Sequence, residues 1–588
     1  MNKTDLIQKV KALEGLSQDE RAYLINLVNT KKKYGLVWED KPEEVEEQLR
    51  ENLPVLKEVK DKAIINGGGS LSGAEVPNHI LIEGDNLHAL TALTFTQEGK
   101  IDVIYIDPPY NTGNKDFKYN DSFVDKEDSY RHSKWLSFMN KRLKIAKRLL
   151  KDSGVIFISI DDNEISQLKL LCDEIFNETN FISQLTLVNN IAGRSDKKHI
   201  AQAHEYVLMY QKTNYFESTG VELGENLIKE YKFNDKLGKY RLQGLRKRGA
   251  NSRREDRPNL FYPIYFNPEK NELSLDLEFG SVEILPKLSD GNDGNWRWGK
   301  STFLDKKHLL IAKISNKKYE IFEKVYFENN GEEKTTKMKS FLYDSDYTTD
   351  TATTIFKSVI DKTQFNNPKS TLLIQDLIKI ATPKKNGIIL DFFAGSGTTM
   401  HSTLNLNNKD NGNRQCILVT NNENSICEEV TYERNKRVIQ GYTNAKGIEV
   451  EGLKNNNLRY YKSEFVNREP SLKNKRELTQ LATELLCIKE DCYNEQKIHF
   501  KQARLFASSK VTLLILFDDH IIPEAVEFIK RIEAPEIKVY VFSMGSDPYS
   551  EDFAEVLDKI TLCALPDAIY KAYQNVLPKK NRVIPILD

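Results

Sequence analysis

Short apolar runs alternate with longer amphipathic segments over two stretches of the chain. Runs such as ILIEGD (80–85), IDVIYID (101–107) and GVIFISIDD (154–162) have the length of a strand and carry apolar residues on both faces, which is typical of buried parallel strands. Between them, the segments 131–150 and 164–176 place apolar residues at helical spacing. This alternation predicts a parallel sheet with crossover helices.

The pattern changes twice along the rest of the chain. The N-terminal segment reads as helices with charged faces, and KPEEVEEQLRENLPVLKEVK (41–60) is followed by a glycine run at 67–69. Between 213 and 365, aromatic residues, Arg, Gly and Pro mix with short alternating pieces, which predicts a mainly antiparallel or irregular insertion. The strand–helix pattern then returns. We expect a helical region at 1–75, one α/β domain split into 76–212 and 366–466, an insertion at 213–365, and a separate small α/β domain at 467–588.

Composition excludes several classes of protein. The chain has 588 residues, of which 39% are hydrophobic and 29% charged, and this excludes a disordered polymer, a collagen or a membrane bundle. No apolar run reaches the ~18 residues of a spanning helix, and the N-terminus lacks an apolar signal-peptide core, so we expect a cytoplasmic protein with no membrane contact. The six cysteines form no C-x-x-C pair, which favours reduced thiols. His88, His132 and Asp518-Asp519-His520 have no metal-ligand spacing; we expect them to be solvated and expect no metal.

The formal net charge of −1 conceals an uneven distribution. Segment 131–150 carries seven basic and no acidic residues, which indicates the solvated face of an amphipathic helix. Segment 241–260 has a net charge of +5 with little apolar periodicity, and predicts a loop that presents arginines to phosphates or base edges. The tail 511–588 has a net charge of −5, and we expect it to dock a partner or a second protomer rather than DNA.

A glycine-rich turn follows the strand GIIL in DFFAGSGTT (391–399). An acidic residue at a strand end, followed by glycines that lead into a helix, allows the backbone to approach a nucleotide while the carboxylate binds a ribose or an amino group. A single G-x-G also occurs in ordinary structural turns. The third glycine and the G-K-[ST] ending are missing, which argues against dinucleotide and P-loop sites.

The tetrapeptide Asp107-Pro108-Pro109-Tyr110 ends a buried strand, where open α/β sheets bind their ligands. Two prolines remove two backbone donors and leave rigid carbonyl acceptors beside a carboxylate and a flat ring. Such a set suits an exocyclic amine on a planar base. A proline-rich turn at a strand end is the alternative.

Together, the two motifs resemble those of the amino-methylating DNA methyltransferases, in which DPPY is the catalytic signature and D-x-F-x-G-x-G forms the loop for S-adenosylmethionine. DPPY comes first here, with the insertion between the motifs, which is the circularly permuted order of the beta class. Further segments resemble the modification subunits of type III restriction–modification systems: YGLVWEDKPEEV, RREDRPNLFYPI, GNDGNWRWGK, VTYERNKRVI and NLRYYKSEFV. The resemblance covers residues 30–466.

The resemblance implies a circularly permuted Rossmann-like methyltransferase domain with an inserted target-recognition domain. It implies that Asp107 and the Pro108 carbonyl accept hydrogen bonds from the target amine, while Tyr110 stacks on the flipped base. His204-Glu205-Tyr206 matches a strand position near the target base, although a strand with a polar edge explains it as well. The implied cofactor contacts are Asp85, Asp391, Phe392, Phe393, Gly395, Ser396, Gly397, Glu423 and Lys369. Glu423 departs from the pattern, because Asn421 and Asn422 precede it where the ribose carboxylate is expected.

Target recognition is assigned to the insertion. The candidates for contacts with DNA are Arg246, Arg248, Arg253, Arg254, Arg257 and Trp296, although core packing also explains Trp296 and Trp298. We expect a site-specific adenine-N6 methyltransferase acting on duplex DNA, as a homodimer and as the recognition subunit beside a helicase–nuclease subunit. Three alternatives remain: a cytosine-N4 enzyme, which Asp rather than Ser at position 107 disfavours, a solitary methyltransferase, and a recognition module without activity, which the intact motifs disfavour.

Overall fold

A computed structural model of the chain describes residues 9–578, apart from 14, 16–19, 22–23, 25–35, 68–75, 121, 194–198, 316, 330–331 and 361–364. Its contacts divide the chain into two compact units. One unit comprises residues 1–219 and 339–588, and the other comprises Gly220–Met338. The insertion expected at 213–365 is therefore wider than the second unit. Much of the helical region expected at 1–75 lies outside the described residues.

The first unit is built on a ten-stranded sheet. Its strands are β1 (Asn52–Glu58), β2 (Asn78–Glu83), β3 (Ile101–Ile106), β4 (Leu150–Ile160), β5 (Phe181–Val188), β6 (His204–Gln211), β7 (Phe341–Leu342), β8 (Asn386–Asp391), β9 (Asn413–Thr420) and β10 (Asn457–Asn467). They lie in the order β1-β10-β2-β9-β8-β3-β4-β6-β5-β7. The strands from β10 to β4 are parallel, as the strand–helix alternation predicts, while β1 and β6 pair antiparallel with their neighbours.

Helices connect these strands and cover both faces of the sheet. They are α1 (Glu44–Glu51), α2 (Asn86–Gln97), α3 (Arg131–Leu149), α4 (Ile165–Cys172), α5 (Thr349–Val359), α6 (Thr371–Ala381), α7 (Thr398–Asp410) and α8 (Glu433–Gln440). Ile104 and Ile106 of β3 are fully buried in one core with α2, α3 and α4. The alternate residues Val103 and Tyr105 are buried as well, as a strand covered on both faces requires.

Segment 41–60 departs from its predicted continuous helix. The helix ends at Glu51, and residues 52–58 form the edge strand β1. Pro54 cannot lie inside a helix without removing a hydrogen bond, and an edge strand tolerates it. Leu53 and Val55 are fully buried there, so burial outweighs the helical spacing of the sequence.

The C-terminal segment forms a second sheet in the first unit. It follows α9 (Leu472–Glu490) and contains β11 (Glu495–Gln496), β12 (Ala503–Ala507), β13 (Thr512–Leu516), β14 (Ile537–Phe542) and β15 (Ile560–Leu565), with α10 (Ile522–Ile529) and α11 (Asp567–Tyr573). Leu485 of α9 and Ile569 of α11 belong to the apolar core that contains α2. The Tyr573 hydroxyl donates to the Pro54 carbonyl at 2.8 Å. The segment therefore shares a core with the large sheet, which the prediction of a separate domain does not anticipate.

The second unit is mainly antiparallel, as its mixed sequence predicts. A four-stranded sheet contains Phe233–Asp235, Gly238–Gly244, Lys318–Tyr326 and Leu310–Ser315, and a three-stranded sheet contains Glu272–Ser274, Ile264–Asn267 and Val282–Ile284. The unit also contains two short helices, Glu225–Ile228 and Lys300–Lys306. Tyr262, Phe266 and Phe303 anchor its own apolar core. Within the described part of the chain, no helix of either unit has the length and hydropathy of a membrane span.

Candidate active site

Four predicted acidic residues follow four adjacent strands of the large sheet. Asp85 and Glu423 come after β2 and β9, Asp391 ends β8, and Asp107 comes directly after β3. Because these strands are parallel, their carboxyl ends meet at one edge of the sheet. The chain runs outward from β3 to β4 on one side and from β8 to β9 on the other, so a topological switch point lies between β3 and β8.

A cleft of about 650 Å³ lies along this edge. Seven of the predicted site residues line it: Asp85, Asp107, Pro109, Phe392, Phe393, Gly395 and Glu423. Aromatic rings form part of its wall, because Phe138 packs against Phe117 at 5.3 Å and against Phe393 at 5.8 Å between ring centroids. The cleft thus combines carboxylates with an apolar wall, a combination that suits a nucleoside with a charged side chain.

Asp391 and Gly397 hold the shape of the glycine-rich loop, and the Ser396 hydroxyl accepts from the Arg434 guanidinium at 3.1 Å. The Asp391 carboxylate accepts hydrogen bonds from the Phe393 N–H at 3.0 Å and from the Thr399 hydroxyl at 2.5 Å. Its burial raises its pKa to about 7. Gly397 has φ +73°, and a Cβ there would lie 2.4 Å from the Asn435 amide nitrogen. The loop geometry therefore requires glycine at this position.

The rim of the cleft contains a buried ion pair that the sequence patterns do not single out. Asp85 caps α2 by accepting from the Leu87 N–H at 2.7 Å. Arg142 of α3, 1% exposed, donates to Glu43 at 2.9 Å and lies 3.7 Å from Asp85. Glu43 also lines the cleft. The one feature of the sequence that points to Arg142 is its place among the apolar positions of α3. A charged residue at such a position is common in helices, so it does not by itself predict a buried ion pair.

Glu423 lies on the exposed side of the cleft. Its carboxylate accepts from the Lys118 ammonium at 2.9 Å, and its side chain is 48% exposed. The preceding residues Thr420 and Asn421 line the cleft as well. A ligand hydroxyl can reach the Glu423 carboxylate from solvent. To bind it, the hydroxyl must replace the Lys118 ammonium as hydrogen-bond donor.

The DPPY motif is held rigidly from behind. The Trp135 indole N–H donates to the Pro109 carbonyl at 2.7 Å. Asn111, in the left-handed conformation with φ +56°, donates to Glu164 at 2.6 Å, and His132 contacts the same oxygen at 2.7 Å. Glu164 is fully buried, which raises its pKa to about 8. His88 is 5% exposed, so the expectation that it is solvated is wrong, whereas His132 pairs with Glu164 and keeps a side chain that is 38% exposed.

The side chains of DPPY meet two residues from other elements. The Lys369 ammonium donates to the Tyr110 hydroxyl at 2.6 Å and to Glu205 at 2.8 Å, and it lies 3.4 Å from Asp107 Oδ1. Lys369 does not line the cleft described above. The structure therefore associates Lys369 with DPPY rather than with the cofactor loop, and it brings Glu205 of the His204-Glu205-Tyr206 segment into the same cluster.

The predicted arginines of the second unit are arranged in two groups. Arg246, Arg248 and Arg257 line a groove of about 700 Å³ together with the basic residues Arg241, Lys247 and Arg297. Arg253 and Arg254 do not line it, and Arg254 pairs with Asp293 at 2.9 Å. Segment 241–260 is not the free loop that its sequence predicts. Residues 238–244 form a strand, and the backbone of Arg246 forms an isolated β-bridge with that of Trp296.

The structure contradicts the prediction that Trp296 contacts DNA, and it shows that many basic residues of α3 are paired. Trp296 is 2% exposed, and its indole donates to the Tyr262 carbonyl at 2.7 Å, so its ring packs in the core and cannot stack on a base. Helix α3 is amphipathic, as its pattern predicts, and it buries Trp135, Met139 and Leu143. Carboxylates neutralise four of its basic side chains: Lys134, Lys141, Arg142 and Arg148.

One possible cation site lies far along the chain from these motifs. Ligand atoms of Asp518, Asp519 and His520 come within 4.8 Å of one another at a turn before α10. His520 is 91% exposed, and the Asp518 carboxylate already accepts from the His520 N–H. Exposed acidic groups commonly lie this close without an ion, so this cluster does not indicate a metal centre.

Comparison with known proteins gives consistent matches. A family model described as DNA methylase matches residues 101–440. The type II methyltransferase M.KpnI of Klebsiella pneumoniae is 37% identical over 376 residues, which are 64% of this chain and 88% of that protein. The type III restriction-modification enzyme EcoPI Mod subunit of Escherichia phage P1 is 37% identical over 375 residues, and the match spans 59% of this chain and 58% of the subunit. The solved PvuII DNA methyltransferase (cytosine-N4-specific) aligns with 61% of this chain and 89% of its own, at a TM-score of 0.30 and 10% identity.

Proposed function

The chain belongs to the DNA methylase family, and we propose that it moves a methyl group from S-adenosylmethionine to the N6 amine of adenine in duplex DNA. The observation that carries this proposal is the convergence of two motifs. The glycine-rich loop after β8 and the DPPY motif after β3 follow neighbouring parallel strands, and residues of both line one cleft. The order of the motifs, with the second unit between them, supports the circularly permuted arrangement of the beta class.

The residues of the cleft fit this cofactor. Asp85 and Glu423 offer carboxylates to its amino and hydroxyl groups, while Phe138 and Phe393 offer apolar contact. When bound, the cofactor supplies an electrophilic methyl group on a positively charged sulfur, so the protein needs no covalent nucleophile. Consistent with this, the described cysteines are buried or half-buried, and burial raises the pKa of Cys172 and Cys416 above the usual range of a thiol.

The DPPY residues position the target amine. Asp107 Oδ1 is buried and accepts no hydrogen bond from any described residue, and its charged neighbour is the Lys369 ammonium at 3.4 Å, so this oxygen can accept an amine N–H beside that cation. The Pro108 carbonyl would accept the second N–H, and Tyr110 would stack on a base that has left the duplex. Accepting both N–H bonds orients the nitrogen lone pair towards the methyl group. Positioning and charge stabilisation then supply most of the rate enhancement.

Target recognition is proposed for the second unit. Its groove contains six basic residues, and arginine is the side chain best suited to phosphates and to guanine edges. Arg246, Arg248 and Arg257 are therefore the foremost of the predicted contacts. Arg253 and Arg254 are exposed and would serve as secondary contacts with the phosphate backbone.

Assembly is proposed from the named relatives. The EcoPI and EcoP15I relatives are Mod subunits of type III restriction-modification enzymes, so we propose that this chain is a modification subunit that associates with a restriction subunit. We also propose a homodimer, in which one copy reads the site while the other modifies it. The match to M.KpnI, a type II methyltransferase, supports the alternative of an enzyme that works without such a partner.

Modification of DNA in cells tests the proposal. The chain is expressed in a bacterial host that lacks adenine and cytosine amine methylation, and the host DNA is read by single-molecule sequencing. We expect N6-methyladenine at one recurrent sequence, and its absence from cells that express Asp107→Ala. N4-methylcytosine would instead identify the cytosine enzyme. Unmodified DNA, together with no transfer of labelled methyl by the purified protein, would contradict the proposed activity.

A further inference from the structure

A lysine is surrounded by three oxygen groups beside DPPY. The Lys369 ammonium lies 2.8 Å from Glu205 Oε1, 2.6 Å from the Tyr110 hydroxyl and 3.4 Å from Asp107 Oδ1. The Tyr110 hydroxyl donates to the second oxygen of Glu205 at 3.2 Å, and the ammonium lies 4.9 Å from the centre of the Tyr110 ring. Three distant parts of the chain therefore meet at this point: the end of β3, the start of β6 and the segment before α6.

This cluster of charged groups contributes little to the stability of the fold. The side chains of Lys369 and Glu205 are 17% and 8% exposed, and an ion pair this buried loses hydration that its mutual attraction scarcely restores. With both carboxylates and the ammonium ionised, the cluster retains one uncompensated negative charge, and Asp107 Oδ1, 3.4 Å from the ammonium, accepts no hydrogen bond from the described residues. Such a charge distribution is costly in a core and useful where a donor must be bound.

We propose that Lys369 and Glu205 act as a positioning pair for methyl transfer, in which they fix the Tyr110 ring through its hydroxyl and keep Asp107 an ionised acceptor for the target amine. This inference rests on the proposed function. Neither residue needs to touch the reacting atoms. Lys369 donates to the Tyr110 hydroxyl and Glu205 accepts from it, so the ring is held at its tip from two directions. The Lys369 ammonium also lies 3.4 Å from Asp107 Oδ1. The same ammonium therefore contacts both the Tyr110 hydroxyl and the Asp107 carboxylate.

The electrostatics around Asp107 agree with this role. Burial raises the pKa of Asp107, Lys369 acts against that rise, and Glu205 adds to it. Burial alone would lower the pKa of Lys369, but Asp107 and Glu205 together hold it above its usual value. The other titratable groups that face Asp107 are the phenols of Tyr110 and Tyr105 and the carboxyl group of Asp391. Burial raises the pKa of both phenols far above neutrality, so neither phenol carries a charge in the working range.

Two substitutions should shift the pH dependence in opposite directions. Lys369→Gln removes the cation that favours ionised Asp107, so the acid limb of the single-turnover methyl-transfer rate should move to higher pH by about 1 unit. Glu205→Gln removes a like charge and can still accept from Tyr110, so the limb should move to lower pH. The rates are measured on unmethylated plasmid DNA with labelled S-adenosylmethionine. A purely structural role predicts slower transfer in both variants without opposed shifts.

Controls separate the possible failures. Lys369→Arg keeps the positive charge and should leave the acid limb where the wild type has it, and Lys384→Gln, an exposed lysine after α6, should change nothing. The affinity for S-adenosylhomocysteine, measured by calorimetry, should be unchanged in all variants.

If the wild type transfers methyl groups but the acid limbs of Lys369→Gln and Glu205→Gln stay fixed or move in the same direction, Lys369 and Glu205 are not a positioning pair. If Lys369→Gln does not fold, an unmoved limb in Glu205→Gln overturns the inference by itself. Absence of transfer by the wild type would instead contradict the proposed function.

Discussion

At the scale of single residues, the carboxyl group of Glu164 shows how the DPPY turn is supported. It binds the Asn111 amide and His132 behind DPPY, and no described residue donates to its second oxygen. Burial raises its pKa to about 8 from an ordinary value of 4.5. A raised carboxyl pKa means that the folded protein holds a proton which the unfolded chain releases, so this group destabilises the fold progressively as pH rises through that window.

Glu164→Gln should therefore change the pH dependence of stability. Between pH 4.5 and about 8, the free energy of unfolding of the wild type should fall relative to that of the variant, by at most ~1.4 kcal/mol per pH unit. Urea unfolding at pH 5 and pH 8 measures the difference. Glu178→Gln, an exposed carboxylate on the following turn, is the control and should run parallel to the wild type. Parallel curves for Glu164→Gln would show that Glu164 is ionised in the folded protein.

The sequence predicts residues that sit in continuous motifs and misses residues that act from a distance. Asp107, Phe393 and Gly395, which line the cleft, are predicted because their neighbours in sequence carry the signal. Glu43, Arg142 and Glu164 have no such neighbours, and their partners lie 32 to 99 positions away. Conversely, Trp296 attracts attention as an exposed aromatic candidate, but an indole packs as readily in a core when a carbonyl accepts its N–H.

At the scale of elements, the turn between β8 and α7 is the least tolerant of change. Gly397 combines a positive φ with a neighbour that cannot give way, because Asn435 is fully buried and donates to the Thr431 and Gly397 carbonyls. The sequence predicts the need for glycine here from its pattern alone. The pattern does not predict why glycine is needed. The reason is that a helical segment 36 residues later packs against the turn, where the Thr431 hydroxyl donates to the Gly395 carbonyl.

Gly397→Ala should lower the free energy of unfolding and weaken cofactor binding. The backbone conformation alone costs about 1 kcal/mol for a residue with a Cβ. Gly447 is the matched control, because its φ is +75° and a Cβ there meets nothing within 4 Å. Gly397→Ala should therefore be less stable than Gly447→Ala by more than ~1 kcal/mol in urea unfolding. Equal decreases in the free energy of unfolding of the two variants would show that the contact with Asn435 does not destabilise Gly397→Ala.

At the scale of the whole molecule, the parallel core and the antiparallel insertion follow from the hydrophobic pattern, whereas the boundaries do not. The C-terminal strand–helix units have the pattern of an independent domain, yet α9 and α11 bury their apolar faces against the core of the large sheet. Periodicity reports that a helix face is apolar and does not report what covers it. The near-zero net charge likewise hides the basic groove of the second unit.

The groove of the second unit should contribute to the salt dependence of DNA binding. Arg248→Ala removes one exposed guanidinium from its lining, so the slope of log affinity against log salt should fall in magnitude by ~0.9 if Arg248 contacts a phosphate. Fluorescence anisotropy with a labelled duplex at several salt concentrations measures the slope. Lys270→Ala, an exposed lysine of the same unit that pairs with Glu278 outside the groove, should leave it unchanged. Equal slopes for both variants would exclude a contact of Arg248 with the phosphate backbone.

Single-turnover methyl transfer by an Asp107 variant shows whether Asp107 receives the target amine at the end of the cofactor cleft. Asp107→Ala should reduce the rate of transfer to duplex DNA by at least ~100-fold, because the buried acceptor for the amine is lost. Its affinity for S-adenosylhomocysteine and for DNA should stay near that of the wild type. Asp152→Ala, an exposed carboxylate outside the cleft, should transfer at the wild-type rate. Transfer by Asp107→Ala at a rate close to that of the wild type would mean that Asp107 does not bind the target amine.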